Sequence, residues 1–345
     1  MKYRAWLQAL ASAALFGIAT PFSKTLLIGL QANQLAGLLY LGAAVCLLPL
    51  VLRRRLSGHT TFPHDRRNRR NLFGAIFFGG IVGPVLLLVG LKHALAASVS
   101  MWLNLEAVAT AILAFLLFRE HIGKWTWLGN VGVMAAGILL SFGQGWAGWI
   151  GLACVAGAGI AWALDNNFTA VIDGISPEDS TFWKGLIAGT TNLGIGLALF
   201  RWPADTDWLW AMLLGGLSYG TSIALYIRAA QGLGATRAQM VFASAPFVGV
   251  LLSVLWLGEG LSVLQAIAAI VLAGSIGLMF LDRHAHAHAH EPVTHEHEHR
   301  HGEEHHDHPH GNLAVGTAHA HVHAHDPVVH SHPHWPDLHH RHHRR

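Results

Sequence analysis

Ten apolar windows follow one another along most of this 345-residue chain. Each spans roughly 20 residues, enough to cross about 30 Å of hydrocarbon as a helix. Five fall at about 5–28, 34–52, 72–91, 98–118 and 125–143, and five more at about 149–171, 181–200, 208–227, 237–257 and 262–281. After Leu281 the pattern changes to histidine at every second position, with no apolar set to build a core. The pattern predicts an all-α membrane protein of ten transmembrane helices, arranged as two inverted five-helix repeats, with a disordered His-rich tail. Residues 1–143 form the first repeat, 144–281 the second, and 282–345 the tail.

Composition agrees with this division. The chain is 52% hydrophobic and 12% charged, against about 25% charged for an ordinary soluble domain. Residues 1–281 carry 17 Lys and Arg against 10 Asp and Glu, while 23 of the 27 histidines lie beyond them. The basic residues sit in short loops between apolar spans, so a pI near 9.1 does not argue for nucleic acid. Placing the N-terminus in the cytoplasm puts Lys2, Arg4, Arg53, Arg54, Arg55, Arg66, Arg67, Arg69, Arg70, Arg119, Lys124, Arg228 and Arg283 on that side. Little more than Lys92 and Arg201 falls opposite. Basic residues favour the cytoplasmic side, so both termini are expected there, in a bacterial inner (plasma) membrane. The N-terminal run reads as an uncleaved first span. Cys46 and Cys154 lie in apolar runs and read as small core residues.

The halves repeat. Ala14-Leu15-Phe16-Gly17 through Lys24 is echoed by Gly159 through Thr169. Leu91-Lys92-His93-Ala94 through Ser98 matches Ile227-Arg228-Ala229-Ala230, with a few residues inserted before Ala235-Thr236. Glu106-Ala107 through Phe118-Arg119-Glu120 aligns with Ala245-Pro246 through Leu257-Gly258-Glu259. On these features residues 5–281 resemble the drug/metabolite transporter superfamily, EamA type, departing from it at Ala107, where the family commonly has Pro. Leu164-Asp165-Asn166-Asn167 and the tail resemble a bacterial subgroup with a His-rich C-terminus. The resemblance implies a transporter; family members are associated with amino acids, sugars, nucleotides and toxic organics. Inverted repeats place substrate near the midplane at their interface.

Polar residues inside the windows include Lys24, Asn104, Glu106, Asp165, Asn166, Asn167, Lys184, Asn192 and Gln239. An ionisable group at membrane depth is a functional candidate by default. At 1.5 Å rise per residue, Asp165 lies roughly 8 Å and Lys184 roughly 10 Å to the cytoplasmic side of their span centres. They are therefore expected to pair, either as a static pin between helices or as a cytoplasmic gate. Lys24, roughly 20 Å away along the normal, is too far to join them. Glu106, roughly 3 Å from the midplane, is the candidate for binding a cation or amine or for carrying a proton. Asn104, Asn166, Asn167 and Asn192 either line the same cavity or hydrogen-bond between helices. Gly185-xxx-Gly189 and Gly216-xxx-Gly220 mark close helix packing.

The tail offers His284, His286, His288, His290, His295, His297, His299, His301, His319, His321, His323, His325, His330, His332 and His334. Neutral imidazole suits zinc, nickel, cobalt and copper, and the repetitive spacing suggests an exchangeable multi-site chelator. The alternative is a charge- or pH-sensing tail. No phosphate-binding loop and no nucleophile–base pair appears, so an enzyme is not expected and transport needs no cofactor. The leading expectation is a gradient-driven secondary transporter moving a small solute by alternating access, with a divalent transition metal or metal-linked metabolite as the favoured special case. The alternatives are a membrane-bound metal sensor or buffer without transport, and an exporter of amino acids or drug-like metabolites whose tail only regulates. Partners are the solute and the bilayer, not nucleic acid; a homodimer stays open.

Overall fold

The computed structural model describes residues 2–118, 123–142, 144–170, 172, 174–202, 208–233, 241–279, 281, 284–289, 294–300, 318–324 and 329–334. It falls into two units, one ending at Asp282 and one beginning at Arg283.

The first unit is helical. In order it contains α1 (Lys2–Gly17), α2 (Ala19–Leu26), α3 (Ala32–Leu56), α4 (Arg66–Ala75), α5 (Gly83–His93), α6 (Ala96–Trp102), α7 (Leu105–Phe118), α8 (Lys124–Phe142) and α9 (Gly145–Ala170). It continues with α10 (Pro177–Leu199), α11 (Trp208–Gly215), α12 (Ser222–Leu233), α13 (Ala245–Leu257) and α14 (Val263–Met279). Two π-helical segments, Ile76–Val82 and Gly216–Thr221, join α4 to α5 and α11 to α12 into continuous rods. Among the described residues seven helical stretches are long and apolar enough to cross a membrane, and Ala245–Leu257 and Val263–Leu278 are shorter apolar helices. Lys184 and Asn192 dilute the apolar run of α10, although its 23 residues have the length.

Several expected spans are not straight helices. The first breaks at Ile18, between α1 and α2. The fourth breaks at Leu103–Asn104, between α6 and α7, although Ala107 stands where a proline would mark the kink. Here the Asn104 side chain and its own backbone N–H both donate to the Met101 carbonyl, each at 3.2 Å. The ninth has a turn at Ala243–Ser244, and α13 starts with Pro246 in its first turn, where a missing N–H does no harm.

Helix α3 is the axis of the packing, lying against α10, α11 and the second π segment. Glycine lets these backbones approach. A Cβ on Gly185 would come within 2.8 Å of the Tyr40 carbonyl, and one on Gly189 within 2.7 Å of the Leu41 nitrogen. Gly220 packs on Cys46 and Ala43, so both small-residue pairs do mark helix contacts. At Gly42 an added Cβ would overlap the Met212 carbonyl. Gly42→Ala is expected to cost about 1–3 kcal/mol through overpacking. Unfolding in mixed micelles checks this, and an unchanged midpoint would show that α3 and α11 are not held at that separation. Contrary to expectation, Cys46 is exposed; Cys154 is part-buried, and both are free thiols.

The second unit contains β1 (His284–Ala289) paired antiparallel with β4 (Val329–His334), and β2 (Thr294–Arg300) paired with β3 (Ala318–Ala324). The alternation of histidine has the period of a strand. His284, His286 and His288 stand opposite His334, His332 and His330, and His295, His297 and His299 stand opposite His323, His321 and His319. His290, His301 and His325 lie outside the described residues, as do Gln239, Arg119 and Glu120.

Candidate functional site

The expected ion pair is present. Lys184 Nζ of α10 lies 2.5 and 2.6 Å from the two carboxylate oxygens of Asp165 on α9. Both side chains are largely shielded, at 16% and 8% exposure. Thr169, one turn along α9, donates its hydroxyl to the same carboxylate at 3.0 Å. The room for this pair comes from the first π segment, because a Cβ on Gly79 would overlap the Asp165 carboxylate.

That π segment organises the site. Its widened turn leaves carbonyls to be claimed by side chains, and such bulges are frequent at functional positions. The Gly79 carbonyl accepts from the Tyr40 hydroxyl at 2.6 Å and from the Trp162 indole N–H at 3.0 Å. The Gly80 carbonyl accepts from the Asn192 amide at 2.9 Å. Three helices, α3, α9 and α10, thus converge on two glycines. The ring of Tyr40 lies 5.7 Å from that of Tyr219, in the second π segment, which in turn lies 5.8 Å from Phe16. None of Tyr40, Trp162, Gly79, Gly80 and Tyr219 stood out in the sequence. The adjacent Gly79-Gly80 inside an apolar span was the available signal.

Glu106 sits in the first turn of α7, just past the break, where a carboxylate is favoured by the helix dipole. Its Oε1 accepts from the Asn166 amide at 2.8 Å. Asn166 is the chain neighbour of Asp165, so Glu106 contacts one of the asparagines expected to share its cavity. The break at Leu103–Asn104 puts Glu106 at the start of α7, beside the stretch of α9 that carries Asp165. Asn167 turns back on its own helix, donating to the Ala163 carbonyl at 2.7 Å, and Asn104 serves the break, so neither reaches the pair. Lys24 works elsewhere, its ammonium 2.5 and 2.8 Å from the carbonyls of Leu91 and Ala94.

A second polar cluster surrounds that α5–α6 turn. The Glu259 carboxylate accepts from the Ala96 and Ala97 amides at 2.8 and 2.9 Å, and Gln144 accepts from the Leu95 amide at 2.9 Å. Gln144 and Gln265 both donate to the Ser98 hydroxyl, at 2.8 and 3.1 Å. Gly258 just before Glu259 has φ +65°, a left-handed conformation that glycine adopts without strain. The Leu257-Gly258-Glu259 triplet thus ties the end of α13 to the start of α6. Among the described residues no group of three His, Cys, Asp or Glu is placed to hold a metal.

The sequence matches the EamA-like transporter family twice, over residues 4–142 and 149–281. The chain belongs to the EamA-like transporter family. An uncharacterized transporter of Methanothermobacter thermautotrophicus is 22% identical over 286 residues, 77% of this chain and 82% of the relative. The uncharacterized transporter YdfC of Bacillus subtilis is 24% identical over 227 residues, 60% and 71% of the two chains. A solved structure titled only as a crystal structure of a protein shares the fold. Its TM-score is 0.59 at 14% identity, over 81% of this chain and 98% of the other. This EamA-like protein is therefore a multi-pass membrane transporter by family, and its Asp165–Lys184 pair lies among the helices of that fold.

Proposed function

We propose that the protein is a gradient-driven secondary transporter with ten spans in two inverted repeats, moving a small polar solute by alternating access. Both termini lie in the cytoplasm, as the loop arginines argue. The observation that carries this reading is the polar cluster in which the Glu106–Asn166 hydrogen bond, at an exposed position, adjoins the largely shielded Asp165–Lys184 pair. It draws on α7 of the first repeat and on α9 and α10 of the second, and an inverted-repeat carrier places its site at such a junction. Two carboxylates facing one ammonium leave one negative charge to be matched by a cationic solute or by a proton on Glu106. Asn192 and Tyr40 hold the π segment against the pair and fix its shape.

The tail is proposed to hold zinc, nickel, cobalt or copper. Directly opposite positions of an antiparallel pair have Cβ atoms about 4.5–5.5 Å apart, and a zinc–imidazole bond is about 2.0–2.1 Å. The two registers set six histidine positions opposite six others, which supports a chelator with several sites. Exchangeable sites of this kind fit regulation or buffering of metal beside the carrier.

Flux into proteoliposomes, full-length against a chain truncated after Leu281, tests the division of labour. Solute flux within about twofold of full-length is expected from the truncated carrier, since the Asp165–Lys184 and Glu106–Asn166 contacts are complete without the tail. Metal content by mass spectrometry is expected to fall to background. Retained metal would remove the tail from the reading. Absence of flux for every metal, amino acid and organic cation tried would favour a sensor over a carrier.

A further inference from the structure

Outside the central cluster, an open cavity lies at the end of the body where α3 stops. It is a groove of about 610 Å³ lined by Arg55, His59, Thr60, Phe62, His64 and Trp183, among others. Its floor is built rather than loose. The Trp183 indole donates to the Thr61 carbonyl at 2.7 Å, and the Phe62 ring meets the Trp183 ring edge-on at 5.1 Å. Arg54 lies 3.2 Å from Asp179, which is fully buried and caps the start of α10. Asp65, at the far end of the loop, is occupied in capping α4 through the Asn68 amide at 2.8 Å. Asp179, through Oδ2, and Asp65 thus have partners, while Arg55, His59 and His64 are exposed.

A second feature runs into the same place. Val45, Leu48, Leu52 and Leu56 recur on α3 at helical spacing and are 58%, 38%, 47% and 88% exposed. In a membrane protein such a stripe faces acyl chains, and this one ends beside Arg53 and Arg55. An apolar track leading into a groove with basic groups at its mouth and aromatic walls matches a molecule that is apolar at one end and anionic at the other. A free anion would need the basic groups and have no use for the track.

We propose that this groove binds an anionic phospholipid, its phosphate on Arg55, His59 and His64 and one acyl chain along the α3 stripe. Bound there, the lipid ties the loop at 57–64 to α3 and α10, the helix that carries Lys184. Basic pockets at the membrane surface select anionic headgroups through charge, with Lys and Arg each contributing.

The test uses full-length protein in micelles containing equal phosphatidylglycerol and phosphatidylcholine, read by native mass spectrometry. Phosphatidylglycerol is expected to be retained preferentially. A variant with Arg55→Gln, His59→Gln and His64→Gln is expected to lose that retention by about fivefold or more. A control with Arg69→Gln and Arg70→Gln, which removes charge from neighbouring α4 without touching the groove, is expected to stay within about twofold. Free glycerol 3-phosphate is expected not to displace the lipid. Equal losses in both variants would assign the preference to diffuse charge and overturn the site. So would the absence of any preference, and displacement by glycerol 3-phosphate would make it a soluble-anion site instead.

Discussion

Lys184→Met is expected to destabilise the body by about 3–5 kcal/mol, the cost of leaving one partner of a buried ion pair uncompensated. Asp165 would keep the Thr169 hydroxyl, but a neutral donor does not replace an ammonium 2.5 Å away. The groups around it cannot relax far, because Gly79 fits there only by lacking a side chain. Asp165→Asn alone should be nearly as harmful, since it strands the ammonium among α3, α9 and α10. The double variant Asp165→Asn with Lys184→Met removes both charges, and neutral replacements of buried pairs often come out level with the original. Its stability should therefore recover to within about 1 kcal/mol of the parent. Reversible unfolding in mixed micelles measures all three. Single-variant costs that simply add in the double variant would show that the pair is not coupled. The same set then separates pin from gate. If the double variant folds and transports, the pair is a pin; if it folds and does not transport, the charge pair takes part in the cycle.

The ion pair was legible because it rests on two reliable regularities. Apolar windows locate helices, and a fixed rise per residue converts position into depth. Asp165 and Lys184 stand on adjacent unbroken helices, α9 and α10, so the conversion held. The break in the fourth span was not legible, because the turn at Leu103–Asn104 carries no proline to announce it. The π segments were hidden for a different reason. Ile76–Val82 is apolar throughout, and hydropathy does not distinguish a π turn from an α turn. What marks it is the set of donors that claims its carbonyls, and those come from residues 40, 162 and 192, far away in the chain. Glu259 was visible only as part of a family pattern, and its task, holding the first amides of α6, belongs to tertiary structure. The tail shows the limit from the other side. Its period-2 histidines were plain, yet which histidine faces which depends on a register that composition does not contain.

Glu106→Gln is expected to fold and insert normally while gradient-driven transport falls by about 100-fold, equivalent to ~2.7 kcal/mol in the rate-limiting barrier. Gln is nearly isosteric, and its carbonyl oxygen can still accept from Asn166, so the local hydrogen bond survives. What disappears is the charge. Two roles for that charge give different residual activities. If Glu106 carries a proton, Gln imitates the protonated state permanently. Solute exchange between the two sides should then persist, while accumulation driven by a pH gradient is lost. If Glu106 holds a cationic solute directly, exchange and accumulation should fall together, with loss of solute binding. Counterflow and gradient-driven uptake, measured side by side on the same liposomes, distinguish these outcomes. Undiminished gradient-driven transport would rule out any required charge at this position. The functional centre would then have to be the Asp165–Lys184 pair alone, with Asn166 and Glu106 as scaffolding for the broken helix.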